Sequence, residues 1–352
     1  MPPLSDADGA MEEIEGLDLA ILDAWMDEQG LAPGPIENIT PLTGGTQNIL
    51  VRFERGGRAF VLRRPPIHKR ANSDETMRRE ARVLGALAGS DVPHPGLIAA
   101  CADEALIGAA FYLMEPVDGW GIGSGLPELH ANDPAIRREM GFSMARGIAS
   151  LGRVDYKAVG LEGLGRPEGY LERQVSRWRH QLDTYLEMDG YPGPEIPGVD
   201  RVAAWLEANR PADAPPGVLH GDYHIANVMF RHDGPELAAI VDWELATIGD
   251  PMLDLGALVI GWPDENGASP MSGATGAMQG LPSTEELVDC YRENTTRDLD
   301  AIEWYVVLAA YRLGIILEGS HARACAGRAP KEIGDLLHAT TVRLFERALK
   351  FI

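Results

Sequence analysis

The amino-acid sequence predicts an α+β protein of two lobes: a small lobe with a five-stranded antiparallel sheet and one main helix, and a larger, mostly helical lobe. Three observations lead to this prediction. The chain has 352 residues, which is too long for one simple core. Strand patterns are concentrated before residue 116, and helical patterns dominate after it. We therefore expect an N-terminal tail and helix at 1–35, the small lobe at 36–116 and the large lobe at 117–352.

The elements of the small lobe are separated by glycines and prolines. After a loose tail, apolar residues at helical spacing predict a helix that ends at Gly30. The third strand ends at Pro65-Pro66, because proline cannot donate to a strand ladder. The expected elements are a helix at Leu17–Gln29, two strands around a Gly-rich turn within Ile39–Phe53, a strand at Arg58–Arg64, the main helix at Ser73–Leu87, and strands at Leu97–Cys101 and Ala110–Met114.

Helix starts in the large lobe have typical caps. Asp133-Pro134 predicts a helix with proline at its first position, and Ser283–Glu286 has the capping-box pattern. Residues 266–282 are rich in Gly, Ser, Met and Ala and are expected to form a mobile loop. Further helices are expected at Glu168–Met188, Val199–Ala208, Asp300–Ser320 and Lys331–Leu349.

Composition excludes several classes of partner. The net charge is −22 and no basic run exceeds three residues, so neither nucleic acid nor an anionic membrane is expected as a partner. No apolar run reaches the roughly 18 residues of a membrane span, and the acidic start is unlike a signal peptide. Cys101, Cys290 and Cys325 form no pairing pattern, so we expect reduced thiols in a cytoplasmic protein.

The segment His220–Asn227, followed by Asp242, has the spacing of a phosphoryl-transfer loop. Asp222 lies five residues before Asn227, and two apolar runs within 228–241 predict a hairpin that returns Asp242 to the loop. In kinases the first Asp receives the proton of the acceptor hydroxyl, while the Asn and the second Asp hold Mg²⁺. The alternative is a pair of unrelated turns, but the ordered set favours catalysis by Asp222, Asn227 and Asp242.

A Gly-rich turn between the first two strands, Leu42–Asn48, is a candidate phosphate-binding loop. Its backbone N–H groups can approach phosphates closely, so we assign Gly44, Gly45 and Thr46 to nucleotide binding. The pattern is weak alone, because an ordinary hairpin turn has the same composition, and it is not a GxxxxGK[ST] loop. Its position ahead of the other motifs, in kinase order, favours the functional interpretation.

Arg63, on the third strand, is the candidate cation for the ATP phosphates, and Glu80, on the next helix, would position it. Kinases use lysine there, but arginine also stays charged and can pair bidentately with a carboxylate. Arg64 and Lys69 are alternative cations. The non-functional alternative is that Arg63 lies on a surface strand and that Glu80 belongs to an exposed charge pair of the helix.

The strand that ends at Met114 leads into a turn with proline and glycine, where kinases bind adenine through backbone atoms. Pro116 has no N–H, so the Glu115 carbonyl and the Val117 N–H are the expected partners of adenine. An ordinary linker is the alternative. On this interpretation the small lobe binds the nucleotide, and the large lobe supplies catalysis and acceptor binding.

Four polar residues near the catalytic segment have expected positions of their own. Asp250 can cap the helix that begins at Pro251, Asp254 can brace the catalytic loop, and His220 can brace it by hydrogen bonds. His224 could approach the substrate, or could equally be a satisfied structural histidine.

These motifs resemble the aminoglycoside phosphotransferase and choline kinase-like family. HGDYHIANVMF and IVDWELATIGDPMLDLG are similar to its two hallmark segments, and the resemblance runs from about residue 36 to the last helices. It implies a bilobal protein kinase-like fold, ATP and Mg²⁺ as cofactors, and phosphorylation of a small-molecule hydroxyl. The sequence departs from the family pattern at two places. It has His224-Ile225 where many members have proline, and it has arginine instead of lysine at position 63.

A narrower resemblance involves FVLRRPP at 60–66, ERQVSRW at 172–178 and DWEL at 242–245. These segments are similar to the kinase domain that animals fuse to certain acyl-CoA dehydrogenases. That resemblance implies phosphorylation of 4-hydroxyacyl-CoA thioesters. It would place Arg173 and Arg177, one helical turn apart, against the CoA phosphates, unless they are solvated helix charges.

The leading hypothesis is an ATP- and Mg²⁺-dependent small-molecule kinase, with a 4-hydroxyacyl-CoA narrowly favoured as the acceptor. An acidic lobe would also suit a polycationic aminoglycoside or an amino alcohol. A non-catalytic pseudokinase that binds a nucleotide or CoA is disfavoured, because Asp222, Asn227 and Asp242 are all present. A protein kinase is disfavoured because Asp242 leads into Trp243-Glu244 instead of Phe-Gly. Oligomeric state stays open.

Overall fold

The structure, a computed structural model, describes residues 16–42, 48–271 and 278–352. Contacts divide the chain into two compact units. The first comprises the residues up to Ala88 together with Pro95–Val117, and the second comprises Gly89–His94 and Asp118–Ile352. Among the described residues, no helix is both long and apolar enough to cross a membrane.

The first unit is built on a five-stranded sheet, as predicted. Its strands are β1 (Ile36–Pro41), β2 (Ile49–Arg55), β3 (Arg58–Arg64), β4 (Leu97–Cys101) and β5 (Phe111–Met114). They lie in the order β1-β2-β3-β5-β4, and every neighbouring pair is antiparallel. β1 begins three residues earlier than predicted, because Ile36 pairs with Arg55 beyond a bulge in the ladder.

Two helices accompany this sheet: α1 (Leu19–Glu28) and α2 (Ser73–Leu87). α1 begins two residues later than predicted, because the Asp18 side chain accepts the first free N–H groups of the helix at 3.0 and 3.1 Å. Its buried residues include Trp25, which packs edge-on against Phe111 with ring centroids 4.8 Å apart. Arg55, 1% exposed, pairs with Asp23 of α1 at 2.8 Å.

The second unit is mostly helical, with two short antiparallel strand pairs. Its strands are β6 (Gly217–Leu219), β7 (Val228–Phe230), β8 (Leu237–Ile240) and β9 (Thr247–Gly249), and β6 pairs with β9 while β7 pairs with β8. Its helices are α3 (Glu128–Asn132), α4 (Pro134–Arg153), α5 (Gln174–Thr184), α6 (Val199–Ala208), α7 (Met252–Gly261), α8 (Thr284–Glu293), α9 (Ile302–Cys325) and α10 (Lys331–Ala348). The predicted α+β architecture, a five-stranded antiparallel sheet followed by a mostly helical part, is confirmed.

Both predicted helix caps are present in the second unit. Asp133 accepts the N–H of Ala135 at 2.8 Å, and Ser283 and Glu286 form a reciprocal capping box. The helix predicted at 168–188 is shorter in the structure, where α5 spans Gln174–Thr184. Residues 167–173 form a series of short turns, and regular helix begins only at Gln174.

Helices α7 and α9 cross at close range, and this contact positions the residues described below. A Cβ added to Gly256 of α7 would lie 2.4 Å from the carbonyl oxygen of Tyr305 on α9. That neighbour is backbone, so it cannot rotate away. The buried glycine is therefore a packing requirement of the two helices.

We predict that Gly256→Ala lowers the free energy of unfolding by about 1–3 kcal/mol, because the methyl group overpacks a backbone contact. Helix propensity alone would favour alanine by about 1 kcal/mol, so a loss of stability reports the steric clash. Urea unfolding followed by tryptophan fluorescence measures it. The matched control is Gly123→Ala, at an exposed position where an added Cβ meets nothing within 4 Å. Equal stability of the two variants would contradict the prediction.

Candidate active site

The predicted catalytic loop, His220–Asn227, lies between β6 and β7 and is held by a buried carboxylate. Asp254, in the first turn of α7, accepts the backbone N–H groups of His220 at 2.6 Å and of Gly221 at 2.9 Å. Gly221 has φ +83°, and an added Cβ would lie 2.4 Å from the Leu245 carbonyl oxygen. The two charge-assisted bonds fix the backbone directly ahead of Asp222. The predicted bracing by Asp254 is confirmed.

Asp250 also has the predicted position at the start of α7. Its Oδ1 accepts the N–H of Met252, the first residue of α7, at 3.1 Å. Its Oδ2 accepts the hydroxyl of Tyr305 on α9 at 2.6 Å. Asp250 is therefore a structural carboxylate that ties the two helices together.

His220 connects the catalytic loop to the end of the β7–β8 hairpin. Its Nε2 lies 2.9 Å from the carbonyl oxygen of Val241, and its Nδ1 accepts the N–H of Asp222 at 3.2 Å. A carbonyl oxygen can only accept, so the proton is on Nε2. The buried ring also packs edge-on against Trp243, with centroids 4.9 Å apart. The expected bracing by His220 is confirmed.

Asn227 is oriented by hydrogen bonds to Asp222, five residues earlier in the motif. Its Nδ2 donates to the backbone oxygen of Asp222 at 2.9 Å and to the Asp222 carboxylate at 3.0 Å. Both partners are acceptors, so the amide nitrogen must face Asp222 and the Oδ1 oxygen faces the other way. The Asn227 carbonyl accepts the N–H of Val241 at 2.9 Å. The hairpin therefore returns Asp242 beside the loop, as predicted.

Asp242 has an unusual backbone conformation for a residue with a side chain. Its φ of 66° and ψ of 65° lie in the left-handed region. It directly precedes a 3₁₀ turn at Trp243–Leu245 and is half-buried. Such strained conformations cluster at functional sites, where the surroundings hold them in place.

The Asp222 carboxyl is ionised over the physiological range. Burial alone would raise its pKa, but the hydrogen bond and charge of His224, with smaller contributions from His220 and Arg312, lower the pKa to about 2. His224 Nε2 lies 3.5 Å from the Asp222 carboxylate, and its Nδ1 accepts the N–H of Ala226 at 3.2 Å. His224 is therefore both a local cap and an electrostatic partner of Asp222.

The donor atoms of this loop suit a hard cation. Mg²⁺ prefers carboxylate and amide oxygens, and the segment offers the oriented Oδ1 of Asn227 together with the carboxylate of Asp242. No nitrogen or sulfur ligand is needed for the set. The residues present fit the magnesium site predicted at Asn227 and Asp242.

The first unit contains the predicted cation pair. Arg63 of β3 contacts Glu80 of α2 twice, with Nε 2.9 Å from Oε2 and Nη2 3.3 Å from Oε1. The Tyr112 hydroxyl donates to Oε2 at 2.8 Å. Both members of the pair are buried, so their geometry is held by packing as well as by charge.

The alternative cations are engaged elsewhere. Arg64 donates to the backbone oxygens of Gly16 and Pro65, and burial lowers its pKa. Lys69 pairs with Asp74 at 2.6 Å. The geometry therefore favours Arg63 over both, although its contact with ATP stays a prediction.

Two parts of the predicted nucleotide site are untested. Gly44, Gly45 and Thr46 lie outside the described residues. The Glu115 N–H donates to the carbonyl of Gly96 at 2.8 Å, which anchors the chain just after β5. Adenine binding by the Glu115 carbonyl and the Val117 N–H stays a prediction.

Arg312 of α9 is a site residue that the sequence analysis missed. It lines the same cavity as Asp222 and His224, and its charge helps to lower the pKa of Asp222. Its guanidinium carbon lies 5.5 Å from the ring centroid of Trp178. A signal was present in the sequence: Arg312 is the single charge in the apolar run 306–317.

Comparison with known proteins identifies the family. The profile of the Phosphotransferase enzyme family (APH) matches residues 38–287. The chain belongs to this family. It is a phosphotransferase whose acceptor group is a hydroxyl, so the predicted resemblance and enzyme class are confirmed.

Individual relatives are consistent with this family. Acyl-CoA dehydrogenase family member 11 of Gallus gallus is 30% identical over 327 residues, which cover 90% of this chain but only 41% of the relative. The phosphotransferase chain therefore spans about two fifths of that protein. The crystal structure of a candidate aminoglycoside phosphotransferase from Ralstonia eutropha has a TM-score of 0.78 and 31% identity, covering 95% of this chain and 98% of that one.

A more distant structure shares the fold. A thermostable mutant of aminoglycoside phosphotransferase APH(4)-Ia, in a ternary complex with AMP-PNP and hygromycin B, has a TM-score of 0.58 and 13% identity. The match covers 90% of this chain and 98% of that one. At this identity the likeness concerns the protein kinase-like fold alone.

We predict that His224→Asn raises the pKa of Asp222 from about 2 toward its ordinary value of 3.8, because the charge of His224 is lost. In the wild type the ionised carboxylate stabilises the fold above about pH 4, and this stabilisation is lost as the pH falls toward 2. In the variant the folded-state pKa approaches the unfolded value, so Asp222 contributes less of this pH-dependent stabilisation. Carboxyl ¹³C NMR of the Mg²⁺-free protein, assigned with Asp222→Asn, measures the pKa.

The control for this titration is His232→Asn, at an exposed histidine of the hairpin turn. It should leave the Asp222 pKa unchanged. An unchanged pKa in His224→Asn as well would show that His224 does not set the charge state of Asp222.

Proposed function

We propose that this phosphotransferase moves the γ-phosphoryl group of ATP to the hydroxyl of a 4-hydroxyacyl-CoA thioester. The observation that carries the proposal is an apolar pocket next to the catalytic loop, at His224–Ala226. An acyl chain needs such a pocket close to the catalytic carboxylate. An aminoglycoside does not, because it carries several positive charges and few apolar atoms.

The pocket has a volume of about 810 Å³ including its mouth, and its surface is mostly apolar. Among the described residues that line it there is no carboxylate, so it offers no counter-charge to a polycation. It shares His224, Ala257, Gly261 and Met271 with the smaller cavity that Asp222 lines. Its larger apolar side chains are Ile225, Leu258, Trp262, Met271, Leu317, Leu336 and Leu337.

In the proposed reaction, the acceptor oxygen forms a bond to the γ-phosphorus while the bond to the β,γ-bridging oxygen breaks, and ADP leaves. The carboxylate of Asp222 accepts the hydrogen bond of the acceptor hydroxyl and receives its proton. With a pKa of about 2, Asp222 is a weak base, so its main contribution is to orient the hydroxyl. A weak base suffices for phosphoryl transfer through a loose transition state, because catalysis then depends mainly on positioning and on charge stabilisation.

ATP and Mg²⁺ complete the proposal. Asn227 and Asp242 would hold Mg²⁺, which when bound neutralises charge on the phosphate oxygens. Arg63, positioned by Glu80, would bind the phosphates, with Gly44, Gly45 and Thr46 providing backbone N–H groups. The Glu115 carbonyl and the Val117 N–H would bind adenine.

The relative from Gallus gallus supports an acyl-CoA acceptor, since its name places it among the acyl-CoA dehydrogenases. The contact predicted between Arg173 and CoA has no such support. The Arg173 guanidinium donates to the backbone oxygens of Glu168 and Arg166, which closes the turn before α5. Arg177 lies over the Trp178 ring at 5.2 Å, so it is engaged in packing.

An aminoglycoside or amino-alcohol kinase is the second candidate. The observation in its favour is the net charge of −22, which would attract a cationic acceptor over long distances. A binding-only pseudokinase is less favoured, because the chain retains the complete catalytic motif.

We predict that the wild type releases ADP with 4-hydroxyacyl-CoAs and not with aminoglycosides or amino alcohols. Asp222→Asn should lower turnover by roughly 10²- to 10⁴-fold while ATP binding survives, because the carboxylate acts on the acceptor. The control is Asp233→Asn, at an exposed carboxylate of the hairpin turn. Turnover with an aminoglycoside would support the second candidate, and near-normal turnover in Asp222→Asn would remove the proposed base.

We also predict that kcat/KM rises with acyl-chain length, by up to roughly fourfold per methylene, since each buried CH₂ contributes at most about 0.8 kcal/mol. Leu337→Asn should flatten this dependence, because Leu337 lines the apolar pocket. Leu186→Asn, at a leucine that is 56% exposed, is the control and should keep it. A chain-length dependence that is unchanged in Leu337→Asn would place the acyl chain elsewhere.

A further inference from the structure

A cluster of metal-binding side chains lies between α9 and α10, and the phosphotransferase reaction does not use it. Glu318 and His321 are on α9, and His338 is on α10. One ligand atom from each residue lies within 4.8 Å of the others. Glu318 is completely buried, while the two histidines are 15% and 23% exposed.

Hydrogen bonds within the cluster leave one buried group without a partner. Glu318 Oε1 accepts the hydroxyl of Tyr191 at 2.7 Å, and Oε2 lies 2.8 Å from His338 Nδ1. His321 Nδ1 is buried and makes no hydrogen bond to any described residue. Its nearest carboxylate oxygen, on Asp335, is 3.8 Å away.

The two imidazole rings are stacked, with centroids 4.6 Å apart and planes 29° apart. The second nitrogen of His321, Nε2, lies 3.6 Å from Cys325 Sγ. Each nitrogen of His321 therefore has a polar neighbour. One ring nitrogen can bind a cation while the other contacts its polar neighbour. A metal-bound histidine usually has such a second contact through its other nitrogen.

We propose that Glu318, His321 and His338 bind one divalent transition-metal ion, with Zn²⁺ the best match. Two imidazoles and one carboxylate are typical zinc ligands, whereas Mg²⁺ and Ca²⁺ prefer oxygen atoms alone. Neighbouring N and O ligands of tetrahedral zinc are separated by roughly 3.3 Å. The 2.8 Å between Glu318 and His338 is shorter than this, and all three ligand atoms lie within 4.8 Å of one another, so the side chains must adjust to meet around one ion.

The scaffold of the cluster is closely packed. A Cβ added to Gly334 of α10 would lie 2.3 Å from the Cβ of Ala324 on α9. Further along α10, the hydroxyl of Thr341 donates to the carbonyl of Gly314 on α9 at 3.0 Å. The ligands are therefore presented by two helices in firm contact, which suits a structural metal site.

The ion would join α10 to α9 directly beside the apolar pocket. Leu336 and Leu337, which line that pocket, lie between Asp335 and His338 on α10. The inference does not depend on the acceptor, because it rests on ligand chemistry outside the catalytic loop. A bound ion would hold this wall of the pocket in place.

The test is zinc binding by the full chain after chelator treatment and dialysis, measured by isothermal titration calorimetry with saturating Mg²⁺ present to occupy oxygen-ligand sites. The wild type should bind one Zn²⁺ per chain. His321→Gln and His338→Gln should each weaken that binding by at least about tenfold. His180→Gln, at an exposed histidine of α5, is the matched control and should bind like the wild type.

Co²⁺ substitution provides a second, spectroscopic measurement. A tetrahedral site should give intense visible absorption that is present in the wild type and in His180→Gln, and absent in both ligand variants. Failure of the wild type to bind Zn²⁺, or unchanged binding in both ligand variants, would overturn the proposal. Neither outcome bears on ATP turnover, so the metal site and the kinase reaction are tested separately.

Discussion

The buried carboxylate of Asp254 is the interaction on which the rest of the catalytic geometry depends. It fixes the backbone N–H groups of His220 and Gly221, and this sets the position of the His220 ring. That ring contacts both the Asp222 N–H and the Val241 carbonyl. One buried carboxylate on α7 therefore aligns Asp222, the predicted catalytic residue, with the end of the hairpin. A buried charge is costly unless it is well satisfied, and here the catalytic loop supplies the satisfying donors.

The proposed acceptor is inferred from the groups that surround Asp222 and line the neighbouring pocket, and not from the net charge of the chain. The chain is strongly acidic, yet Asp222 has cationic groups near it, and the neighbouring pocket is lined mainly by apolar side chains. Long-range attraction affects how fast a charged ligand arrives, but it is screened over about 10 Å by salt. What a pocket retains depends on the groups that line it, and the apolar lining is the basis for proposing an acyl chain and not a polycation as the acceptor.

Helix α9 is the shared scaffold of the second unit. It supplies Tyr305 to Asp250, Arg312 to the cavity beside Asp222, and Glu318 and His321 to the proposed metal site. It is largely buried along its length, so most of the polar groups that it carries need a partner inside the protein. Those partners include Asp250 just before α7, Tyr191 between α5 and α6, and His338 of α10. The helix thereby links the packing of the unit to its chemistry.

The sequence by itself determined the features that depend on nearby residues: the caps at Asp133 and Ser283, the bounds of β3 and α2, and the hairpin that joins Asn227 to Asp242. Short-range hydrogen bonds and alternating patterns are encoded within a few positions, so they can be predicted. The pairing of Arg63 with Glu80 was predictable only because kinases place a cation on the third strand and a carboxylate on the helix that follows.

Only the tertiary structure decided the contribution of Arg312, the apolar pocket, and the cluster of Glu318 and His338. It also decided that the helix predicted from 168 begins at Gln174. These features depend on side chains that are distant in sequence and meet only when helices pack. No local pattern specifies which faces will meet, because packing is set by the shape of the whole unit.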